Sequence, residues 1–249
     1  MDSNRKPGDP GDFDALFSSK EVARRMRAVS GTAYDAAAQF WRTPIENGAL
    51  PPRMKELILL AMHAIASSLN GDIMRRQIAR ALSAGASKEE IVDVMISISV
   101  LANHALYSSL PIFEEEWSAA GLPVGTLDGA NEAFEAAKQR FIEIRGFWND
   151  DRDAVARQMP DYFASLTDLS TESWARGPLT RKEREFICIA IDCTVTHTYG
   201  PGLRIHIRNA IREGASRAEI LAIFQLAALM GLEGYVIAAE AMFDEESRA

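Results

Sequence analysis

The chain has 249 residues, 47% of them apolar and 25% charged, an ordinary make-up for a globular protein of one large domain or two small ones. A net charge of −8 and a pI near 5.1 exclude the broad basic face that nucleic-acid binding requires. Two cysteines, Cys188 and Cys193, are too few for a disulfide framework and fit neither a C-x-x-C nor a zinc-knuckle spacing, so a reduced cytoplasm is the expected compartment.

The first dozen residues, MDSNRKPGDPGD, are polar and carry no apolar h-region. No signal peptide is therefore expected, and a disordered tail is expected over 1–18. No apolar run reaches the roughly 18 residues needed to span a bilayer, and no membrane partner is expected. From residue 19 onward apolar residues recur at spacings of three and four, the period of helices packed on one face. The expected fold class is all-α. Helices are expected near 19–29 and 31–44, then near 52–69, 72–84, 88–101 and 103–119. Gly85 stops the helix before it, and Ser87 with Glu90 forms a capping box that starts the next. Residues 121–128, GLPVGTLD, read as a linker. Beyond it, helices are expected near 129–146, 151–174, 180–198, 202–213, 217–230 and 232–246. Gly214 and a Ser216/Glu219 box repeat the same stop and start.

That grammar recurs because the chain contains one unit twice. Residues 50–91 lie on 179–220 at a constant offset of 129 without a gap, and 13 of the 42 pairs are identical, among them Glu56/Glu185, Arg75/Arg204 and Gly85/Gly214. A period this long means two copies of a folding unit rather than a solenoid. The copies are expected over 19–120 and 129–249, sharing a core. Where scaffold residues persist and polar ones diverge, chemistry can be kept in one copy only.

The second copy reads LTRKEREFICIAIDCTVTHTYGPGLRIHIRNAIREGASRAEILAIFQLAALMG over 179–231. Its opening around Glu185, the L-R-x-H-x-R-x-A segment around His206, the G-A-S-x-x-E-I from Gly214 and the closing Gln225-Leu226-Ala227 resemble the carboxymuconolactone decarboxylase family, which shares the alkylhydroperoxidase D fold. The first copy matches in its scaffold, in KELI at Glu56 and GASKEEI at Gly85. The resemblance implies a duplicated all-helical domain and a homo-oligomer, a trimer that mimics a hexamer. It also implies a cofactor-independent enzyme acting on a small carboxylated lactone or a related product of aromatic breakdown.

His206 heads the candidate site. Its first-copy partner is Gln77, and its helix neighbours are Gly202, Leu203, Asn209 and Ala210. Read alone it is either a general acid/base or a partly buried histidine with a backbone partner. The resemblance marks it as the proton-relay histidine. Glu185, Asp192 and Thr196 fall on one helix face, as Glu56, His63 and Ser67 do in the first copy. That stripe is either a lined cavity or a buried structural network. Glu185 is expected to set the tautomer and pKa of His206, with His197 lining the same pocket. Asp192, Thr196, Gly202 and Asn209 are expected to bind substrate. A helix N-terminus near Gly202 is expected to hold the substrate carboxylate, because Arg204 and Arg208 point away from His206. Gln77 and Ser68 leave the first copy as scaffold.

In the peroxidase branch of the fold, as the resemblance implies, redox cysteines would stand at His197 and Gly200. A thiol peroxidase or redox partner is thus disfavoured unless Cys193 acts alone. Hydrolysis or isomerisation of an unsaturated acid, and a ring-forming protein that only holds a ligand, stay open. No organic cofactor is expected. His197 and His206, with Asp192 or Glu185, raise the possibility of a metal, but no recognised ligand spacing is present and no metal ligand is assigned. His104 is expected as an exposed histidine near a helix end, unless it enters a site across a subunit boundary.

Overall fold

The computed structural model describes residues 11–123 and 132–243. Among these residues every regular element is helical. The first half contributes α1 (Lys20–Val29), α2 (Gly31–Glu46), α3 (Pro52–His63), α4 (Gly71–Ser83), α5 (Lys88–Ser99) and α6 (Asn103–Ala119). The second contributes α7 (Glu132–Arg145), α8 (Asp151–Gln158), α9 (Pro160–Arg176), α10 (Arg181–Cys193), α11 (Gly200–Arg212), α12 (Arg217–Ala228) and α13 (Glu233–Phe243). Adding 129 to the bounds of α4 and α5 gives those of α11 and α12, so the duplication in sequence is a duplication in space. The start of α2 maps in the same way onto the start of α9, and the correspondence extends well upstream of the strongest sequence match.

Gly85 and Gly214 both adopt positive φ, 94° and 81°. That conformation costs an L side chain energy that glycine avoids, which is why both copies keep glycine there. The Ser87/Glu90 and Ser216/Glu219 capping boxes then form with both reciprocal bonds.

α3 and α10 cross at the centre, and both are buried along nearly their whole length. One continuous core joins Leu57, Ile58 and Leu60 of α3 to Phe186, Ile187 and Ile189 of α10. The halves are therefore two copies around one core. A buried ion pair also fastens them: Arg184 of α10 meets Asp93 of α5 through Nη1–Oδ1 at 2.5 Å and Nη2–Oδ2 at 2.6 Å. Both side chains are 2% exposed.

Several expectations shift. The tail expected over 1–18 is structured at its end: Phe13–Leu16 forms a 3-10 turn, and Phe13, Leu16 and Phe17 enter the core. Three large apolar side chains in five residues bury enough surface to order a segment that looks polar on average. Residues 1–10 and the linker's 124–128 lie outside the described residues. The helix expected to 69 ends at His63, and the one expected to 198 ends at Cys193, where Thr194 turns extended with ψ 145°. The helix expected over 151–174 is broken at Met159, because Pro160 starts α9 and disfavours helical geometry in the residue before it. The expectation that nothing is apolar enough to span a bilayer also needs correction. The runs Lys88–Ala119 and Arg217–Phe243 are long and apolar enough by composition, although a 3-10 turn interrupts each of them.

Candidate active site

Glu185 sits in the middle of α10 and His206 in the facing α11. His206 Nδ1 lies 2.6 Å from Glu185 Oε2, and Asn209, one turn along α11, donates Nδ2 to Glu185 Oε1 at 3.1 Å. All three side chains are buried. The first copy shows what changed. There Gln77 donates to Glu56 Oε2 at 2.7 Å, and Arg80 pairs with Glu56 Oε1 at 2.7 Å. Replacing Gln77 by His206 and Arg80 by Asn209 removes the guanidinium, so the carboxylate's charge acts on an imidazole instead. Burial opposes the cation on His206. The nearby Cys188 sulfur and the Glu185 carboxylate outweigh it and raise the pKa to about 10. His206 thus holds its proton at neutral pH with Nδ1 committed to Glu185.

The loop after α10 builds the next layer. Thr194 leaves the helix, Thr198 is held at φ 43°, and Tyr199 N donates back to Asp192 O at 2.9 Å. A threonine at positive φ is strained, and here the strain accompanies a tight return that brings His197 and Tyr199 beside Asp192. Across them comes His104, from the start of α6 in the other half. Its ring stacks on Tyr199 with centroids 3.9 Å apart, and its Nδ1 lies 2.7 Å from His197 Nε2. Asp192 Oδ1 is 3.4 Å from His104 Nδ1 and 3.7 Å from His197 Nε2, and Oδ2 is 4.0 Å from His206 Nε2. Among the described residues neither Asp192 oxygen has a hydrogen-bond partner. Burial raises its pKa to about 7, against the pull of cationic His206. Burial also lowers His104, to about 3, and His197, so both imidazoles are neutral.

His206, His104 and Tyr199 wall an enclosed hollow of about 40 Å³, closed on the other side by Tyr107, Arg145, Phe147 and Arg152. Arg145 ends α7 and Arg152 lies in α8. Arg145 Nη1 donates to Ser170 O at 3.0 Å, but its Nε, both Nε and Nη1 of Arg152 and the Tyr107 hydroxyl have no hydrogen-bond partner among the described residues. Aromatic faces hold the two cations: Arg152 lies 4.0 Å from the Phe141 centroid, and Arg145 lies 4.2 Å from that of Trp174. Burial lowers both guanidinium pKa values, that of Arg145 to about 10, which leaves them charged. Two buried cations with free N–H groups beside a histidine acid make a hollow suited to an anionic group. His104 and Tyr199 also border an open groove of about 660 Å³, lined further by Ile65, Met95, Ile98 and His197.

The structure brings His206, Glu185, His197, Asp192, Gly202 and Asn209 into one cluster. Gly202 lines the hollow and is pressed against Asp192, where a β-carbon would collide with Oδ2 and with the Tyr199 ring. Asn209 binds Glu185 rather than the hollow. Thr196 faces the groove, and its carbonyl accepts from Ser67 at 3.0 Å. His104 crosses from one half to the other. Arg204 and Arg208 are exposed, as expected. Cys188 is buried in α10. Cys193 bonds Ala190 O, and burial pushes its thiol to about 12, which leaves little thiolate. Sequence reasoning missed Arg145, Arg152, Tyr107 and Tyr199. A signal for the arginines existed: at the same offset the first copy has Leu16 and Ala23, both buried and apolar.

The family model for the carboxymuconolactone decarboxylase family matches residues 31–115 and 160–245, once in each half. No curated protein matches the chain. Among solved structures, a Burkholderia xenovorans LB400 chain, provisionally named a gamma-carboxymuconolactone decarboxylase subunit, is 28% identical, with a TM-score of 0.84 over 94% of each chain. The two matches fall on the two structural copies and together span well over half of the sequence, and on that ground the chain belongs to the carboxymuconolactone decarboxylase family.

Proposed function

We propose that the protein is a cofactor-independent, decarboxylase-like lyase acting on a small carboxylated lactone or a related product of aromatic breakdown. The observation that carries this reading is the juxtaposition of a protonated His206, backed by Glu185, with two buried arginines across one enclosed hollow. Arg145 and Arg152 hold a substrate carboxylate in the hollow, and the remainder of the molecule lies toward the groove beyond His104 and Tyr199. This replaces the helix end near Gly202 as the anion holder. The bond from ring carbon to the departing carboxylate breaks, carbon dioxide leaves, and the electron pair moves into the conjugated lactone. His206 then delivers the Nε2 proton to carbon, and solvent restores it. Glu185 keeps Nδ1 occupied, which fixes Nε2 as the donor.

The first copy is scaffold on this reading: Glu56 is neutralised by Arg80, and Arg76 meets Glu233 at 2.7 Å. The chain works as a homotrimer, with exposed Ile112, Phe113 and Trp117 of α6 available for subunit contact, and light scattering tests that state. The reaction is tested by a screen of ring-cleavage acids and lactones that records both released carbon dioxide and product mass. A product of unchanged mass points to isomerisation, a gain of water to hydrolysis. Turnover of none of these substrates overturns the lyase reading.

A further inference from the structure

We propose that His104, His197 and Asp192 form a binding site for one divalent transition-metal ion, of the zinc or ferrous class. The three facing atoms, His104 Nδ1, His197 Nε2 and Asp192 Oδ1, are separated by 2.7, 3.4 and 3.7 Å. Atoms so spaced lie on a circle of radius about 1.9 Å, and such ions bind imidazole nitrogen and carboxylate oxygen at about 2.0–2.2 Å. One ion slightly off that plane is therefore within bonding distance of all three. Two imidazoles and one carboxylate, with remaining positions open, are a donor set that suits these metals.

A hydrogen bond between the two rings explains their approach but leaves Asp192 unexplained. Its side chain is fully buried and neither oxygen is hydrogen-bonded among the described residues. His206 Nε2, at 4.0 Å from Oδ2, is beyond hydrogen-bond reach. Leaving such a carboxylate unpaired costs several kcal/mol. The first copy shows the alternative solution. The carboxylate there is Glu233, at the position matching His104, and it faces His63, at the position matching Asp192, at 3.2 Å. Arg76 supplies the cation, with Nη2 2.7 Å from both Glu233 oxygens. The residue matching Arg76 in the second copy is Ile205, so that site has lost its guanidinium while keeping the acid and gaining His197. The stacking of His104 on Tyr199 fixes its ring as outer partners fix metal-bound imidazoles, and the groove of about 660 Å³ leaves the remaining positions open. No ligand spacing is legible in the sequence because His104 belongs to the other half.

Full-length protein stripped by chelator and dialysed is titrated with Co²⁺ and with Zn²⁺, using calorimetry and visible absorption. The expected result is one saturable site per chain, a cobalt d–d band, and its loss when Zn²⁺ is added. His197→Ala and Asp192→Asn each weaken binding by at least about tenfold, whereas His63→Gln in the other half leaves it unchanged. Circular dichroism checks the buried Asp192→Asn variant; if that variant does not fold, His197→Ala alone decides. Absence of saturable binding of either ion, or undiminished affinity in a folded ligand variant, overturns the site. The measurement uses no substrate, so its outcome is independent of the lactone reading.

Discussion

Arg152→Met separates a cation held for a ligand from one held for the fold. Arg152 is 8% exposed, two of its nitrogens have no hydrogen-bond partner among the described residues, and its guanidinium lies over the Phe141 face at 4.0 Å. Methionine keeps an unbranched apolar stem of similar reach. Removing a desolvated cation–π contact costs about 2 kcal/mol, while replacing a buried charge with a hydrophobic side chain typically gains about 1–4 kcal/mol. The net effect on stability is expected between a loss of about 1 and a gain of about 2 kcal/mol, or roughly −4 to +8 °C in Tm for a chain of this size. Binding moves the opposite way. A charge-assisted hydrogen bond to a carboxylate is worth about 1.5–3 kcal/mol, so kcat/KM should fall by roughly 10–150-fold, mainly through KM. The assay pairs thermal unfolding by circular dichroism with initial rates on the best substrate from the lactone screen. Greater stability with lower activity is the mark of a group kept for function. A kcat/KM within about threefold of the parent, or a loss of Tm beyond about 4 °C, would refute the reasoning.

Other expectations are simpler. His206→Gln should lower kcat by about 10²–10⁴-fold, the range for a lost general acid, with the helical spectrum intact; Gln77 already occupies the matching place in the first copy, bonded to Glu56. Near-parental turnover would remove His206 from the chemistry. Arg184→Leu leaves Asp93 buried without its partner and should cost about 3–5 kcal/mol in urea unfolding. His63 is held neutral by burial, and Arg76 and Arg80 reinforce this while Glu233 opposes it, giving a pKa of about 4 against a usual 6.5. The unfolded chain therefore binds an extra proton between those values, so this stability is complete above pH 6.5 and is lost as pH falls toward 4. The contribution lost between pH 7 and 5 is about 2 kcal/mol. Unfolding of His63→Gln should lack that part of the acid slope, and an unchanged slope would contradict it.

The duplication, the all-helical class and the glycine stops were legible in the sequence because each is local or periodic. Apolar spacing reports which face of a helix is buried, and Gly85 and Gly214 report a positive φ wherever they occur. The His206/Glu185 pair was legible for a related reason: the divergence of Gln77 and Arg80 into His206 and Asn209 stands out against a retained glutamate. The helix end at His63 was misjudged because apolar residues, Ala64 to Ala66, continue past the last turn, and the one at Cys193 because no glycine or proline stands before Gly200 to mark the stop.

Only the tertiary structure decided the rest of the site. It joined His104 to His197, 93 residues apart, and set Arg145 and Arg152 opposite His206. Those encounters depend on which helices pack together, across the two halves for His104 and within the second half for the arginines, and side-chain periodicity along a single helix contains no information about that choice. The exposed-looking histidine of α6 joins the cluster only when the two halves close on one core, and the arginines of α7 and α8 reach the hollow only through the packing of the second half. Asp192 shows the limit most clearly: its place on a polar stripe was readable, but only the packing shows that among the described residues neither of its oxygens is hydrogen-bonded.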